Sequence, residues 1–302
     1  MSTKRERESC GLSVLSLFDG ISCGLVALKR NNIKIDKYYA YEINDDAIKI
    51  SKKNHPEIIH CGDVTQENFT KYKGIDLLIG GSPCQSISIT RSKDRTHLKG
   101  KSKLFFEFVR AKNECNPKWF LFENVASMNN NSKKIMSEYL GCEPIMIDSK
   151  YFSAQERQRL YWTNIPILVL PQINSLVLRD IMIDIKDVPN KYWYTNKTIN
   201  DIDMSRQVCA TIQLNIFDMH KRVFNPNFKC HTLTCVSGGN QQKKVMDNGR
   251  VRKLMPIEYE RLQTLPDNYT EGISDGARYS VVGNGWTVDV ICHLLLPLTQ
   301  TR

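Results

Sequence analysis

The sequence predicts an α/β protein: a doubly wound, mostly parallel sheet with helices on both faces, joined to a smaller second domain. Three observations predict it. Short apolar runs alternate with amphipathic segments through the first half of the chain. Glycines, acids and one cysteine gather where those runs end. Between residues 166 and 250 the texture changes, with shorter apolar runs and more Asn, Lys and Thr. The expected organisation is a principal domain over 1–165, a second domain over 166–250, and a C-terminal segment, 251–302, that returns to the first.

Taken in order, LSVLSLF (12–18) is the first strand, and DGISCG (19–24) opens a helix that continues through LVALKRN. KYYAYEI (37–43) reads as the next strand, DDAIKISKKN (45–54) as a helix with apolar residues on one face, and IDLLIGG (75–81) as a buried strand. KWFLFENV (118–125) and QERQRLYWTNI (155–165) add two more. RKLMPIEYERLQTLPDNY (252–269) and GNGWTVDVICHLLLPL (283–298) look helical and apolar. There are no internal repeats and no low-complexity tract.

Composition narrows the function classes. No stretch approaches the roughly 18 uninterrupted apolar residues of a membrane helix. The start, MSTKRERESC, carries charge without a signal peptide's apolar core. A soluble, cytoplasmic protein with no membrane partner is expected. The 10 cysteines include no CxxC pair, so neither a metal site nor a disulfide framework is expected. Lys plus Arg total 42 against 32 Asp plus Glu, a net +10 that suits a polyanion such as nucleic acid, although solubility alone also accounts for such an excess.

The candidate site residues sit at strand ends, where open α/β sheets bind ligands. Asp19, Gly20 and Gly24 stand at a helix start, where backbone N–H groups are free. Glu42 ends the second strand, where an acid can meet ribose hydroxyls, and Asp63 follows the third; any of the three acids, Asp19 included, could instead be a helix N-cap. Without GxGxxG or a P-loop, the set fits an adenosine-type cofactor that lacks a pyrophosphate. Cys84 follows Pro83 at a strand-to-helix turn, where a helix dipole favours thiolate, though a buried inert thiol is the ordinary alternative. Glu123 and Asn124 end the next strand on the same sheet edge, which gives a thiolate an acid partner. Gln155, Arg157 and Arg159 alternate at strand period two, so all three would point to one face.

In this order, FDGISCG, GGSPCQS, SKLFFEF, FENV, QERQR and GNGWTVDV resemble the ordered blocks of the DNA cytosine methyltransferases that act on carbon 5. They cover nearly the whole chain outside 166–250. LSLFDGI, IGGSPC and KLFFEF are similar to the de novo branch, while PCQ follows bacterial and phage members. The resemblance implies the S-adenosylmethionine-dependent methyltransferase fold, with 1–165 catalytic and cofactor-binding and 166–250 target-recognising. It implies S-adenosyl-L-methionine as cofactor, surrounded by Phe18, Asp19, Gly20, Ile21, Gly24, Glu42, Ile43, Asp63, Val64, Pro83, Leu104, Asn284, Gly285 and Trp286. GNGW departs from the Ser that many bacterial members have after Asn.

The resemblance also assigns roles. Cys84 would add to carbon 6 of a flipped-out cytosine, Glu123 would protonate ring nitrogen 3, Arg157 or Arg159 would hold the exocyclic oxygen, and Asn124 would fix the loop. Double-stranded DNA would be met by Gln85, Ser86, Arg91, Lys93, Arg95 and Gln155, and by Thr234, Gly238, Gly239 and Asn240 in CHTLTCVSGGNQQKK. A monomer is expected, with a cognate restriction endonuclease as a candidate partner in a bacterial or phage-infected cell. Two alternatives share these motifs: a tRNA-methylating relative, and a catalytically silent DNA-binding one.

Overall fold

The computed structural model describes residues 11–83, 104–236 and 238–299. They divide into two compact units. Asp148–Gln158 and Leu170–Val290 form the second, and the other described residues form the first.

The first unit is built on β1 (Leu12–Leu17), α1 (Cys23–Arg30), β2 (Ile35–Tyr41), α2 (Asp45–Asn54), β3 (Ile59–Gly62), β4 (Leu77–Gly80), α3 (Phe105–Cys115), β5 (Trp119–Val125), α4 (Asn130–Leu140) and β6 (Ile145–Asp148). After β7 (Gln155–Glu156), β8 (Gln158–Thr163) completes its sheet. The strand order is β3-β2-β1-β4-β5-β8-β6, with parallel pairing from β3 through β5 and β8 antiparallel to β5. This is the doubly wound sheet expected. Its central strands read as unbroken apolar runs because both faces are covered: all four residues of β4 are buried. Phe105, Phe108 and Val109 on one face of α3 pack with Leu15, Leu78, Phe122 and Trp162 in a single core cluster. Each such side chain contributes roughly 1.5–3 kcal/mol by leaving water. The one polar atom of Trp162 is not wasted, since its Nε1–H donates to Ser137 Oγ at 3.0 Å.

Helix starts follow local chemistry. Asn44 Oδ1 accepts from the Ala47 N–H at 2.9 Å to begin α2, and Asn129 Oδ1 accepts from the Ser132 N–H at 2.7 Å to begin α4. Gly141, at φ 78°, ends α4 in the left-handed conformation that favours glycine.

The second unit carries α5 (Leu178–Ile181), β9 (Ile199–Asn200), β10 (Val208–Ile212), α6 (Asp218–Lys221), β11 (Arg222–Phe224), β12 (Cys230–His231), β13 (Lys244–Asp247), β14 (Arg250–Lys253), α7 (Pro256–Leu262) and α8 (Asp275–Asn284); α9 (Val288–Leu295) follows. Its five strands run β14-β13-β11-β10-β9 over a core of Cys209, Ile212, Val223, Met246 and Val251. Asn248 and Gly249, both at positive φ (46° and 77°), form the two-residue turn that joins β13 to β14.

The division of the chain differs from the expected boundaries at 165 and 250. Gln155 pairs with Cys230 in the parallel β7–β12 ladder, which draws 148–158 into the second unit. Residues 251–290 stay there too. Arg252, fully buried, is gripped by Asp247 at 2.6 Å and by both oxygens of the equally buried Glu258 at 2.7 and 2.8 Å, tying β14 to α7. The expected strand 155–165 is likewise broken at Arg157, and RKL begins as strand, not helix.

The run Asp275–Thr299 is long and apolar enough to cross a membrane by length and composition, but 61% of its window is buried within the protein. Gly285, Trp286 and Thr287 interrupt it between α8 and α9.

Candidate active site

The chain winds from β1 to β2 and β3 on one side and from β4 to β5 on the other, so the switch point lies where β1 and β4 pair. Ligands of open α/β sheets bind outside the carboxyl ends of such strands. Two short segments leave these ends, Phe18–Ser22 after β1 and Gly81–Pro83 after β4.

The first is a tight turn in which Phe18, Gly20 and Ser22 all have positive φ (58°, 59° and 62°). The Asp19 carboxylate holds it, accepting from Ser16 Oγ at 2.6 Å, Tyr38 OH at 2.7 Å and Ser22 Oγ at 2.5 Å. Burial pushes the pKa of Asp19 up, and these three hydroxyls oppose the shift. Its role in the fold is therefore to shape the turn. Glu42, at the end of β2, accepts from the Gly20 N–H at 2.9 Å and from the N–H groups of Ile43 and Asn44, both at 2.8 Å. Ile21 and Gly24 are buried behind the turn. Ile43 is 71% exposed, an apolar side chain left in the open at a strand end.

Asp63 is exposed and accepts from both the N–H and the Oγ1 of Thr65 at 2.9 Å, so the N-cap alternative describes its present contacts. Val64 beside it is buried, and Phe18 and Leu104 pack against the core. Arg110, which the sequence reading passed over, donates to the carbonyls of Val64 at 3.1 Å and Glu67 at 2.7 Å. It ties the segment after β3 to α3, and Glu107 at 2.6 Å and Glu114 at 3.4 Å on the same helix hold it in place.

At the end of β5, Glu123 Oε1 lies 2.9 Å from Arg159 Nε, with both side chains largely buried. Asn124 is also buried. Its Nδ2 donates to the Ser82 carbonyl at 3.4 Å, while its Oδ1 accepts from the Val125 N–H at 2.8 Å. Ser82 and Pro83 lead directly to Cys84. Cys84 itself, with Gln85, Ser86, Arg91, Lys93 and Arg95, lies outside the described residues.

The expectation that Gln155, Arg157 and Arg159 share one face is corrected. Only Arg159 stands beside Glu123. Arg157 is buried in the second unit, donating to the carbonyls of Leu233 at 2.8 Å, Gly283 at 3.2 Å and Gly285 at 3.1 Å. Gln155, expected at DNA, is instead wholly buried: its Oε1 accepts from the Leu233 N–H and its Nε2 donates to the Leu262 carbonyl and to Gln263 Oε1. The break at Arg157 causes the difference, because it ends the period-two alternation.

Asn284, Gly285 and Trp286 belong to the second unit, as do Thr234, Gly238, Gly239 and Asn240. Gly285 offers its carbonyl to Arg157 and Gln263, and Asn284 Nδ2 approaches Cys235 Sγ at 3.4 Å. The glycine that opens GNGW is required by packing: a Cβ on Gly283 would lie 2.4 Å from the Thr234 carbonyl oxygen.

The profile of the C-5 cytosine-specific DNA methylases matches residues 12–298. The chain belongs to that family. The chain is 36% identical over 166 residues to the orphan methyltransferase M.SPRI of Bacillus phage SPR, covering 50% of this chain and 37% of that protein. It is 28% identical over 337 residues to the Type II methyltransferase M.Eco47II of Escherichia coli, covering 94% of this chain and 79% of that one. It thus spans about a third of the length of the phage relatives it matches. Its fold is that of the S. pombe Dnmt2 methyltransferase (TM-score 0.70, 18% identity, 96% of this chain and 99% of that one) and of the Entamoeba histolytica methyltransferase EhMeth (0.70, 17%, 97% and 99%).

The family's methyl donor is S-adenosyl-L-methionine. Several of the chain's thiols are poorly suited to nucleophilic work. Burial pushes Cys115 up to about 12 and Cys230 up to about 11, and raises Cys142 and Cys209 as well.

Proposed function

We propose that this chain transfers a methyl group from S-adenosyl-L-methionine to carbon 5 of cytosine within a specific double-stranded DNA sequence, with Cys84 as the nucleophile. The observation that carries the reading is the Glu123–Arg159 pair at the end of β5, beside the Asn124 contact that holds Ser82 two residues before Cys84.

The residues present fit the donor. Gly20 has open space where a side chain would stand, and Ile43 offers an uncovered apolar surface. The Glu42 oxygens, each already accepting from backbone N–H groups, retain capacity for ribose hydroxyls. Phe18, Val64 and Leu104 line the same end of the sheet, with Asp63, Pro83 and the Asn284–Trp286 segment assigned to the donor by motif. When bound, the donor supplies an electrophilic methyl group.

Carbon 5 of cytosine is too electron-poor to attack it unaided. The Cys84 thiolate adds to carbon 6, and Glu123 delivers a proton to ring nitrogen 3, so charge does not accumulate on the ring. Arg159 orients Glu123 and reaches the exocyclic oxygen. Asn124 fixes the approach of the thiol through Ser82. Once carbon 5 carries the methyl group, ring nitrogen 3 returns its proton to Glu123, and loss of the carbon 5 proton to water or a nearby base expels the thiolate and restores aromaticity. Since a stacked base cannot reach such a site, the target is flipped out at a cost of a few kcal/mol. Gln85, Ser86, Arg91, Lys93 and Arg95 are read as phosphate and base contacts, together with Thr234, Gly238, Gly239 and Asn240.

The enzyme works as a monomer in the cytoplasm of a bacterial or phage-infected cell, and a restriction endonuclease with the same target is the partner this reading provides for. DNA and tRNA offered side by side with radiolabelled donor test the function. Label is expected in DNA cytosine, and transfer to tRNA alone would overturn the reading.

A further inference from the structure

Lys244, the first residue of β13, is fully buried, and its Nζ donates to three backbone carbonyls: His220 at 2.6 Å, Asn240 at 2.6 Å and Gln242 at 2.9 Å. Those carbonyls belong to two separate segments of the second unit. One is α6 with its preceding Phe217; the other is the Gly238–Gln242 stretch. A second bond ties the same segments, as His220 Nδ1–H donates to the Gln241 carbonyl at 3.0 Å. Burying an ammonium group is costly unless its donors are satisfied, and here they are spent on holding two loops side by side. Burial pushes Lys244 down to about 7, with Lys253 and Lys243 adding to the push, while the three carbonyls, which can only accept, favour the protonated form.

The clamped edge has an unusual surface. Phe217 is 79% exposed and Met219 is 39% exposed, on a turn that offers them no core. The charge around them is basic: Lys221 and Arg222 follow on the same segment and Lys243 lies near His220, while the one acid of α6, Asp218, is paired with Lys221 at 2.9 Å. Asn240, at φ 64° and accepting from Tyr194 OH at 3.1 Å, fixes the neighbouring loop. An exposed aromatic ring on a segment that also carries Lys221 and Arg222 complements a polyanion that has apolar base edges in its grooves.

We propose that Phe217 is a specificity-determining residue whose ring meets the apolar edge of a base in target DNA, and that Lys244 is the positioning residue that makes its segment and the Gly238–Gln242 loop one reading edge. The inference rests on the methyltransferase reading and deepens it.

The test expresses wild-type enzyme, Phe217→Ala, Phe217→Leu, Lys244→Met and Lys244→Arg in a methylation-free host, followed by bisulfite sequencing of host genomic DNA. Donor affinity is measured on each protein by calorimetry at pH 6.5. Phe217→Ala is expected to relax base preference at one flanking position by about 10-fold, the scale of one lost base contact. Phe217→Leu keeps most of that preference. Lys244→Met relaxes the same position, Lys244→Arg restores it in part, and donor affinity stays unchanged in all four. Wild-type preferences at every position in Phe217→Ala would overturn the inference. So would loss of donor affinity and methylation together in both Lys244 variants, which marks general support of the fold. Absence of 5-methylcytosine with the wild-type enzyme would instead overturn the methyltransferase reading, and the inference with it.

Discussion

Glu123 Oε1 and Arg159 Nε stand 2.9 Å apart although they are not directly opposed in the ladder; Glu123 pairs with Tyr161, and Arg159 pairs with Val125. They meet as diagonal neighbours on one face of an antiparallel pair. The antiparallel pairing of β8 with β5 therefore brings a cation to the acid at the end of β5. A Glu123→Gln variant keeps the shape and hydrogen bonds but cannot deliver a proton. Its turnover is expected to fall by about 10²–10⁴-fold with donor affinity intact. A rate near wild type, measured by transfer of labelled methyl to DNA, would remove Glu123 from the acid role.

Arg157 and Arg159 should separate cleanly. Arg159→Ala is expected to lower turnover while leaving urea unfolding nearly unchanged. Arg157→Ala, which removes a buried guanidinium's bonds to three backbone carbonyls, should cost about 2–4 kcal/mol of stability. Equal stability losses in the two variants would contradict the assignment.

The Arg252–Glu258 pair is buried on both sides. Glu258→Ala leaves the buried Arg252 guanidinium with Asp247 as its one remaining carboxylate partner among those described, and is expected to destabilise the second unit by about 3–5 kcal/mol. Replacing Arg252, Glu258 and Asp247 together with well-packed apolar residues should recover much of that loss. Denaturant midpoints of single and triple variants measure the difference.

Acid should weaken the first unit through His55. Burial lowers its pKa from 6.5 to about 4, with Lys29, whose ammonium donates to Nδ1 at 3.0 Å, adding to the shift and Glu57 opposing it. Between those values the unfolded chain binds a proton that the folded chain does not. The stabilising contribution is thus complete above pH 6.5 and is lost as pH falls toward 4, amounting to roughly 3 kcal/mol. His55→Leu should flatten that part of the stability profile, as read by urea unfolding from pH 7 to pH 4.

Much of the first unit was legible because buried parallel strands write themselves as apolar runs, and the candidate site residues fall where those runs end. LSVLSLF, IDLLIGG and KWFLFENV each lead to a strand whose end carries Asp19, Ser82 or Glu123. The α2 segment matched residue for residue, since Asn44 caps it and its apolar residues fall on one face. The rest depended on contacts distant in sequence. Gln155 and Arg157 looked like surface-facing strand residues until the backbone of Leu233, nearly eighty positions away, claimed them. The second unit's sheet was hidden because its strands are short, two to five residues each, and its buried charges Lys244, Arg252 and Glu258 read as surface residues. Arg110 had a local signal in Glu107 and Glu114, three before and four after it, but its hold on the Val64 and Glu67 carbonyls depends on a segment distant in sequence.

The central claim is covalent catalysis by Cys84, and the most direct measurement is trapping on DNA. DNA containing 5-fluorocytosine at the target, incubated with enzyme and S-adenosyl-L-methionine, should give a stable covalent complex, because fluorine cannot leave as the proton does. Peptide mass spectrometry is expected to place the adduct on Cys84, dependent on the donor and absent in Cys84→Ser. An adduct on another cysteine, or continued methylation by Cys84→Ser, would contradict the account.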